Sequence, residues 1–261
     1  MSNAIITTGR KNQSKSTALA REFSSKLNIP FVERQNISIP KLAELHEVQY
    51  VLVAKKNSLR LVTANDEIFF HPSLAHLRIK NILNGEGDRM IEAMNLQRGM
   101  KVLDCTLGLG ADAIVESFIV GEEGSVTAIE VNPYLAAVVK HGFQNFTDDN
   151  THVINAMRRI KVINADYIDF LRGAEDKSFD VIYFDPMFRH SLERSSSLNP
   201  IREVADHRAL SIEAIEEAKR VAKYKIVLKE NAKSLEFERL GFDKICGGRY
   251  SPIHYGVINI E

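Results

Sequence analysis

The chain has 261 residues, of which 44% are hydrophobic and 26% charged, so it can bury an ordinary core in one large domain or in a main domain with a smaller partner. Lysine and arginine total 34, as do aspartate and glutamate, so the overall charge predicts no polyanionic partner. Cys105 and Cys246 are the only cysteines, which excludes a disulfide framework and favours a reducing cytoplasm. The longest apolar runs are too short to span a membrane, and the N-terminus lacks the features of a signal peptide.

Charged residues are distributed unevenly along the chain. Residues 1–80 carry 12 basic and 6 acidic side chains, whereas residues 81–261 carry 22 basic and 28 acidic ones. A basic segment joined to an acidic one could guide a nucleic acid to a catalytic domain. An ordinary solvated surface explains the same charges equally well, so this pattern alone does not select a partner.

The N-terminal segment has the pattern of a small α/β module. Its apolar residues are spaced as on an amphipathic helix over Ser14–Leu27. Short apolar runs predict strands at Ala4–Thr8, Tyr50–Ala54, Leu59–Ala64 and Glu67–Phe70. A helix over Leu74–Leu83 then leads to the turn Asn84-Gly-Glu-Gly87. We therefore predict a small basic module in residues 1–80 and a second domain in residues 81–261.

Beyond that turn, strand and helix patterns alternate, which predicts a mostly parallel sheet with helices on its faces. The predicted strands are Lys101–Thr106, Ser125–Val131, Lys161–Asn164, Phe179–Phe184 and Lys225–Lys229. The predicted helices are Arg89–Leu96, Ala111–Val120, Pro133–Phe143, Val153–Arg159 and Ile212–Tyr224. Two final strands, near Lys244–Gly247 and Ile253–Ile260, are close enough in sequence to form an antiparallel hairpin. Ligands of such sheets bind outside the carboxyl ends of the strands.

A glycine-containing turn follows the first strand of this sheet. Gly108 and Gly110 allow a tight loop to approach a ligand without a Cβ in the way, although their spacing alone is only a weak dinucleotide signal. Asp104 disfavours a pyrophosphate at this strand end and suits an ammonium group. Glu130 closes the second strand where a ribose-hydroxyl acceptor is expected. Each acid alone is best explained as a structural cap, but together with the glycines they favour a nucleoside site.

A third acid, Asp166, follows the third strand. In a nucleoside site its carboxylate could bind the adenine amino group, with Tyr167 or Ile168 against the ring. Asp166 is equally well explained as the N-cap of a short helix over Tyr167–Leu171.

The fourth strand ends in Asp185-Pro-Met-Phe188. The lone pair of a nucleobase amino group is delocalised into the ring, which makes the nitrogen a poor nucleophile. Asp185 and the carbonyl of Pro186 could accept its hydrogens and orient the nitrogen, and Phe188 could stack on the base. A strand that ends in a proline turn is the alternative explanation, but the three other strand ends favour the first one.

These residues resemble the RsmJ-type methyltransferases, which modify the exocyclic N2 of a guanosine in small-subunit ribosomal RNA. The resemblance extends over roughly residues 85–229 and rests on three segments: Asp104–Ala113, Glu130-Val-Asn-Pro133 and Asp185-Pro-Met-Phe188. It implies a Rossmann-like class I α/β fold, namely a seven-stranded sheet whose last strand is antiparallel. It also implies S-adenosylmethionine as the cofactor, RNA as the substrate and a role in ribosomal RNA processing.

The resemblance implies a role for each matching residue. The predicted cofactor-binding residues are Asp104, Thr106, Gly108, Gly110, Asp112, Glu130, Asp166 and Tyr167. The predicted catalytic residues, which would hold the base, are Asp185, Pro186, Met187 and Phe188. The chain departs from the family at Arg189, where proline is usual, and matches less well in the N-terminal module and in the ending 247–256.

Several other features leave alternatives open. Lys229 could touch substrate or phosphate, although a lone lysine in such a position is more often solvated. The polar segment 191–207 could be a lid that orders on RNA or could be disordered. We expect no metal, because the histidines and acids lack convincing ligand spacing. A nicotinamide-dependent oxidoreductase would share the glycine loop and Glu130, and a non-catalytic RNA-binding protein could retain the cofactor fold.

Overall fold

The computed structural model describes residues 3–10, 14–186 and 199–261. The chain divides into two compact units, each assembled from three separate stretches. The first comprises Met1–His71, Pro133–Thr147 and Ser195–Val204, and the second comprises Pro72–Asn132, Asp148–Arg194 and Ala205–Glu261. The sequence predicted a division at residue 80 into a module that binds RNA and a catalytic domain. This division is one of function, and it stays a prediction.

The secondary-structure elements alternate along most of the chain. The strands are β1 (Ala4–Thr8), β2 (Tyr50–Lys55), β3 (Ser58–Val62), β4 (Glu67–Phe69), β5 (Lys101–Asp104), β6 (Ser125–Glu130), β7 (Lys161–Asn164), β8 (Phe179–Phe184), β9 (Ala222–Asn231), β10 (Lys244–Cys246) and β11 (Ile253–Asn259). The helices are α1 (Ser14–Leu27), α2 (Ile39–Leu45), α3 (Ser73–Leu83), α4 (Arg89–Met94), α5 (Ala111–Val120), α6 (Pro133–Asn145), α7 (Thr151–Arg159), α8 (Tyr167–Gly173), α9 (Asn199–Arg202), α10 (Ile212–Val221) and α11 (Glu236–Arg239).

The first unit contains a small sheet in the order β1-β2-β3-β4. β1 pairs parallel with β2, whereas β2, β3 and β4 pair antiparallel. α1 packs against β1 and β2, and α6 packs against β3. The predicted α/β character of the N-terminal segment is therefore confirmed, and β1 and α1 have the predicted bounds.

The sequence analysis missed α2, although its start carries a recognisable signal. The hydroxyl of Ser38 accepts a hydrogen bond from the Lys41 amide, and a proline occupies the first turn. Serine at the N-cap and proline in the first turn are both favoured at helix starts.

The second unit contains a seven-stranded sheet in the order β10-β11-β9-β8-β5-β6-β7. β9, β8, β5, β6 and β7 are mutually parallel. β11 is antiparallel to both of its neighbours, β9 and β10. The predicted mostly parallel sheet and the C-terminal hairpin are therefore confirmed.

Both faces of this sheet are covered, which explains the continuous apolar runs in its strands. In β8, Val181 to Phe184 are all fully buried. One set of alternating side chains, which includes Ile182 and Phe184, packs in a core with residues of α8, α10 and α11. Tyr183 points to the opposite face, where its hydroxyl reaches Asp112 in the first turn of α5.

The predicted end of the helix Ile212–Tyr224 is wrong by three residues. α10 ends at Val221, and Ala222 already has extended dihedrals and pairs with Phe179 of β8. Ala222, Lys223 and Tyr224 are residue types compatible with a helix, but β8 offers this segment a strand to pair with. Tertiary pairing therefore overrides local propensity here.

Candidate active site

Acidic residues stand at the carboxyl ends of four neighbouring parallel strands. β5 ends at Asp104 and β6 ends at Glu130. Asp166 lies two residues after the end of β7, and Asp185 directly follows β8. Because these strands are adjacent in the order β8-β5-β6-β7, the topology brings the four carboxylates to one edge of the sheet. This is the edge at which open α/β sheets bind their ligands.

The loop between β5 and α5 depends on its two glycines. Gly108 has φ 51° and Gly110 has φ 78°, a left-handed conformation that side chains with a Cβ rarely adopt. Gly110 is also the N-cap of α5 and provides no side-chain cap. A role for the first-turn amide groups of α5 in binding a ligand stays a prediction.

Asp104 is almost completely buried at the end of β5. Its Oδ1 accepts hydrogen bonds from the amide of Thr106 at 2.9 Å and from the Thr106 hydroxyl at 3.5 Å. Burial raises the pKa of Asp104 to about 8, although the Thr106 hydrogen bond opposes this. A cation that binds beside Asp104 would lower this pKa, so the carboxyl group would lose its proton near neutral pH.

Glu130 fastens the glycine loop to the end of β6. Its Oε2 accepts a hydrogen bond from the Gly108 amide at 3.1 Å, and its Oε1 accepts one from the Asn132 amide at 2.9 Å. Burial raises the pKa of Glu130 to about 7, again against these hydrogen bonds. Each oxygen of the Glu130 carboxylate thus accepts one backbone amide, and each keeps a lone pair that can accept from a hydroxyl group.

Asp166 caps α8, as one of the two sequence-based alternatives proposed. Its Oδ1 accepts a hydrogen bond from the Ile168 amide at 2.9 Å. Its Oδ2 lies 2.7 Å from the guanidinium of Arg208, which also pairs with Asp206. The adjacent Tyr167 packs edge-on against Phe184, with 5.8 Å between ring centroids. Sequence reasoning missed Arg208, because no spacing pattern connects it with Asp166.

Asp185 begins the segment that was predicted to hold the substrate base. Its amide donates a hydrogen bond of 2.6 Å to the hydroxyl of Thr106, which ties the end of β8 to the end of β5. Pro186 follows and is half-buried. Met187, Phe188 and residues 191–198 of the predicted lid lie outside the described residues.

The side chain of Asp185 belongs to a half-buried charge cluster that the sequence analysis did not anticipate. The Nζ of Lys229, on β9, lies 2.6 Å from Asp185 Oδ2 and 2.9 Å from Asp112 Oδ2. Asp112 also accepts hydrogen bonds from the Tyr183 hydroxyl and from Arg78, which pairs in turn with Asp88. The alternative of a solvated Lys229 is therefore wrong, because its side chain is only 17% exposed and paired with two acids.

The cations of this cluster control the charges of the two acids. Burial would raise the pKa of Asp112, but Lys229 and Arg78 hold it well below its usual range. Burial raises the pKa of Asp185 to about 6, while Lys229 limits the rise. Burial opposes the charge on Lys229, yet its two acidic partners raise its pKa well above the usual value. Near neutral pH the lysine is therefore charged and both acids are predominantly ionised.

The contacts of Asp112 bear on its predicted role. Both of its oxygens are engaged by side chains, so its direct contribution in this structure is to hold Lys229 and Arg78. A role in cofactor binding stays a prediction for this residue.

One turn further along α5, Glu116 is fully buried and neither of its carboxyl oxygens has a hydrogen-bond partner among the described residues. Burial and the neighbouring Asp104 raise its pKa well above the usual value, which favours the uncharged carboxyl group at this buried position.

No group of three or more metal-binding side chains occurs among the described residues. Within the same residues, no helix is both long and apolar enough to cross a membrane.

The arrangement fits an S-adenosylmethionine site. Asp104 directs both of its hydrogen bonds through Oδ1, so Oδ2 accepts none from the described residues and is available to an ammonium group. The roles of Glu130 as an acceptor for ribose hydroxyls and of Asp166 as an acceptor for an amino group stay predictions. With the glycine loop and Asp185-Pro186 on the neighbouring strand, this sheet defines the class of S-adenosylmethionine-dependent methyltransferases.

Comparison with known proteins identifies the family. The pattern of the family described as "Putative SAM-dependent methyltransferase" matches residues 36–240 of this chain. Because the match extends over more than half of its length, the chain belongs to this family, and S-adenosylmethionine is its cofactor. Uncharacterized protein YpiP of Bacillus subtilis (strain 168) is 37% identical over 254 residues, which are 97% of this chain and 98% of that protein.

The predicted resemblance to RsmJ-type enzymes is also confirmed. Ribosomal RNA small subunit methyltransferase J of Dechloromonas aromatica (strain RCB) is 31% identical over 173 residues, 64% of this chain and 67% of that enzyme. The protein of the same name from Ectopseudomonas mendocina (strain ymp) is 30% identical over 158 residues, 57% of this chain and 58% of that enzyme. The matched part thus spans about six tenths of these enzymes.

A solved structure supports the fold class. The SAM-dependent methyltransferase NGO1261 from Neisseria gonorrhoeae superposes with a TM-score of 0.64, covering 97% of this chain and 95% of that one. The sequence identity is 16%, so this likeness concerns the fold alone. The predicted Rossmann-like class is confirmed.

Proposed function

We propose that the protein methylates an exocyclic amino group of an RNA base, with guanine N2 in small-subunit ribosomal RNA as the target. The observation that carries this proposal is the position of Asp185. Its carboxylate stands at the end of β8, beside the cofactor strands, and is held by Lys229 at 2.6 Å. An ionised acceptor fixed at this point suits an amino-group substrate.

The cofactor side supplies binding and orientation. Asp104 would hold the ammonium group of the cofactor, and Glu130 would accept from its ribose hydroxyls. Asp166 would accept from the adenine amino group, and Tyr167 would lie beside the adenine. Bound S-adenosylmethionine supplies a methyl group on a sulfonium, a good electrophile that needs no further activation. For Asp166 to accept from adenine, Arg208 must share or release its Oδ2, because the two are paired at 2.7 Å.

The reaction requires the amino nitrogen to offer its lone pair. Asp185 accepts a hydrogen bond from the amino group, which localises the lone pair and directs it at the methyl carbon. Bound S-adenosylmethionine would supply the methyl group and retain the carbon–sulfur electron pair on sulfur, while the proton that the amino group loses would pass to Asp185 or to solvent. Holding the two reactants in this geometry can supply about 7–11 kcal/mol of the barrier.

Lys229 prepares Asp185 for this role. A buried aspartate with no cation nearby would be neutral near pH 7 and would lose much of its power as an acceptor. The ammonium of Lys229 stabilises the ionised form and occupies Oδ2, so that Oδ1 remains for the substrate. Asp112 holds the lysine through its Oδ2 at 2.9 Å, and Arg78 in turn pairs with the other oxygen of Asp112.

The choice of RNA is supported by the relatives and by the charge of the chain. Two relatives are named Ribosomal RNA small subunit methyltransferase J, and the guanine N2 target follows from the resemblance to that type. The excess of basic residues in 1–80 is compatible with a surface that guides RNA. A role in ribosomal RNA processing in the cytoplasm is part of the same proposal.

The decisive test combines cells and purified protein. Mass spectrometry of RNA nucleosides should reveal one N2-methylguanosine missing from a strain that lacks the gene. The purified full chain should restore a labelled methyl group to RNA from that strain and should transfer none to wild-type RNA. Methylation at a ring nitrogen, at carbon or on protein alone would contradict the amino-group proposal. Preferential binding of NAD in calorimetry would favour the oxidoreductase alternative.

A further inference from the structure

Two loops meet at the carboxyl edge of the sheet, on the side of β9 away from the cofactor strands. Residues 232–235 follow β9, and residues 247–252 connect β10 to β11; we call them the loop pair. They are joined where Ile253 pairs with Asn231 and where the Ala232 amide donates to the Pro252 carbonyl at 2.9 Å. β11 is two strands from β8, so β11, which begins directly after the second loop, runs about 10 Å from the strand that precedes Asp185.

The loop pair carries the two most exposed large apolar side chains of the described residues. Tyr250 is 88% exposed and Leu235 is 78% exposed. The guanidinium of Arg249 lies 5.5 Å from the centroid of the Tyr250 ring. Single exposed apolar residues are ordinary on proteins, but two of them on adjoining loops at the edge of an active site suggest a binding surface.

The turn that bears Tyr250 is fixed by the packing of its two glycines. A Cβ on Gly247 would collide with the His254 ring, and a Cβ on Gly248 would collide with the Arg89 guanidinium. The Ser251 amide donates to the Gly248 carbonyl at 2.9 Å, and the Ser251 hydroxyl donates to the Ile253 carbonyl at 2.8 Å. The loop therefore presents the tyrosine outward in an ordered backbone, which lowers the entropic cost of binding.

Three exposed cations belong to the loop pair or lie against it: Arg249 and Lys233 are members, and the Arg89 guanidinium lies beside Gly248. Arg249, Arg89 and Lys233 are all exposed, whereas the nearby Glu230 is buried in β9. A bare aromatic ring among cations is the combination with which proteins bind single-stranded nucleic acid, because the ring stacks on bases and the cations contact phosphates.

We propose that the loop pair binds the single-stranded RNA that flanks the target nucleotide. Tyr250 stacks on an unpaired neighbouring base, and Arg249, Arg89 and Lys233 contact the adjoining phosphates. This inference rests on the proposed function, since it adds an RNA-binding surface to the same active site.

A matched pair of variants tests the stacking role in the full chain. Tyr224 is also exposed and has the Lys223 ammonium 4.6 Å from its ring, but it lies near the start of β9, at the opposite edge of the sheet. With RNA from the deletion strain, Tyr250→Ala should raise the KM for RNA about five- to a hundredfold, the range for one base stack. Tyr224→Ala should leave it unchanged, and Tyr250→Phe should retain most of the wild-type value. Affinity for S-adenosylmethionine should be the same in all four proteins.

A charge variant tests the phosphate contact separately. Arg249→Gln should weaken binding of a short labelled single-stranded RNA and reduce the slope of log affinity against log salt by about one. Its control, Lys223→Gln, should leave that slope unchanged.

The outcomes distinguish this inference from the proposed function. If wild-type protein methylates RNA and Tyr250→Ala behaves like Tyr224→Ala, the inference is wrong and the proposed function stands. If wild-type protein binds the labelled RNA without methylating it, and Tyr250→Ala weakens that binding, the inference stands and the reaction is wrong. If Tyr250→Ala abolishes self-association in sedimentation without any change in RNA binding, the loop pair contacts protein, which overturns the inference.

Discussion

The two halves of the active site hold carboxylates in opposite ways. On the cofactor side, Asp104 and Glu130 are fixed by backbone amides, and burial raises the pKa of each, to about 8 and about 7. On the β8 and β9 side, Asp112 and Asp185 are fixed by the side chain of Lys229. Among the described residues Asp104 and Glu130 form no ion pair, whereas Asp112 and Asp185 are both paired with Lys229. Asp166 is the exception on the cofactor side, since its Oδ2 lies 2.7 Å from Arg208.

This difference follows from what each half has to bind. The cofactor carries its own positive charges, so acids left without a cation contribute to its affinity when it arrives. The substrate amino group is neutral and brings no charge, so the protein must supply the cation that keeps Asp185 ionised. The predictions below test this contrast, beginning with the largest expected effect.

Replacing Asp185 should produce the largest loss. Asp185→Ala removes the acceptor but leaves the glycine loop, Glu130 and Asp166 intact, so affinity for S-adenosylmethionine should hardly change. Methyl transfer to RNA should fall by about 10²–10³-fold, the range for one preorganised polar contact to the reacting group. Calorimetry and a labelled-methyl assay measure the two quantities, with circular dichroism to verify folding. A folded variant with full activity would remove Asp185 from the mechanism.

Replacing Lys229 should change the pH dependence as well as the rate. Lys229→Met leaves Asp185 without its cation, so the pKa of Asp185 should rise from about 6 and the acidic limb of the rate profile should move up by about one unit or more. A rise of one unit, from about 6 to about 7, should lower activity at pH 7 about twofold, and a larger rise should lower it further. Activity should recover partly at higher pH.

The control for Lys229 lies on the same strand. Lys225→Met alters a lysine four residues earlier on β9, with the same alternation, and should leave the pH profile unchanged. Lys229→Arg retains the charge and should keep the acidic limb near its wild-type position even if the rate falls. An unshifted limb in a folded Lys229→Met protein would mean that the lysine does not set the charge of Asp185.

On the cofactor side, Glu130→Ala should weaken S-adenosylmethionine binding by roughly 1–3 kcal/mol, because the loop loses its anchor and the ribose loses its acceptors. Glu130→Gln should lose less, since an amide oxygen can still accept one hydrogen bond. Titration calorimetry measures both variants. Equal affinity in wild type and Glu130→Ala would contradict the assignment of the ribose to this residue.

The pH dependence of binding and stability gives the smallest and most specific effects. A cation beside Asp104 lowers its pKa from about 8, so S-adenosylmethionine binding should release protons and tighten as pH rises from 6 to 8. Calorimetry in buffers of different ionisation enthalpy measures the released protons. Uptake of protons, or none, would contradict the assignment of the ammonium group to Asp104.

Stability without cofactor should respond to pH with one sign at Asp104 and Glu130 and with the opposite sign at Asp112. The raised pKa values of Asp104 and Glu130 contribute stability that is fully present below about pH 4 and is lost as pH rises through 7 and 8. The lowered pKa of Asp112 contributes stability that is present above about pH 4 and is lost as pH falls further. Thermal melts of wild type and Glu130→Gln across this range should separate the first contribution.

Much of the fold was predictable because its signals are local. Short apolar runs located the strands of the large sheet, and β7, β8, α1 and α5 have the predicted bounds. The acids after these strands were predicted to converge because parallel strands share one carboxyl edge. The end of α10 was not predictable, because it depends on Ala222 pairing with a strand that lies far away in sequence.

The sequence by itself determined the class of the site, because glycines, acids and Asp185-Pro186 follow individual strands in recognisable order. Only the tertiary structure decided how the charges pair. Lys229 is 44 residues from Asp185 and 117 from Asp112, and Arg78 is 34 residues from Asp112. No periodic pattern connects such residues, and the pairing of buried charges depends on which strands become neighbours. The order of the strands therefore determines that Asp112 and Asp185 are paired with Lys229.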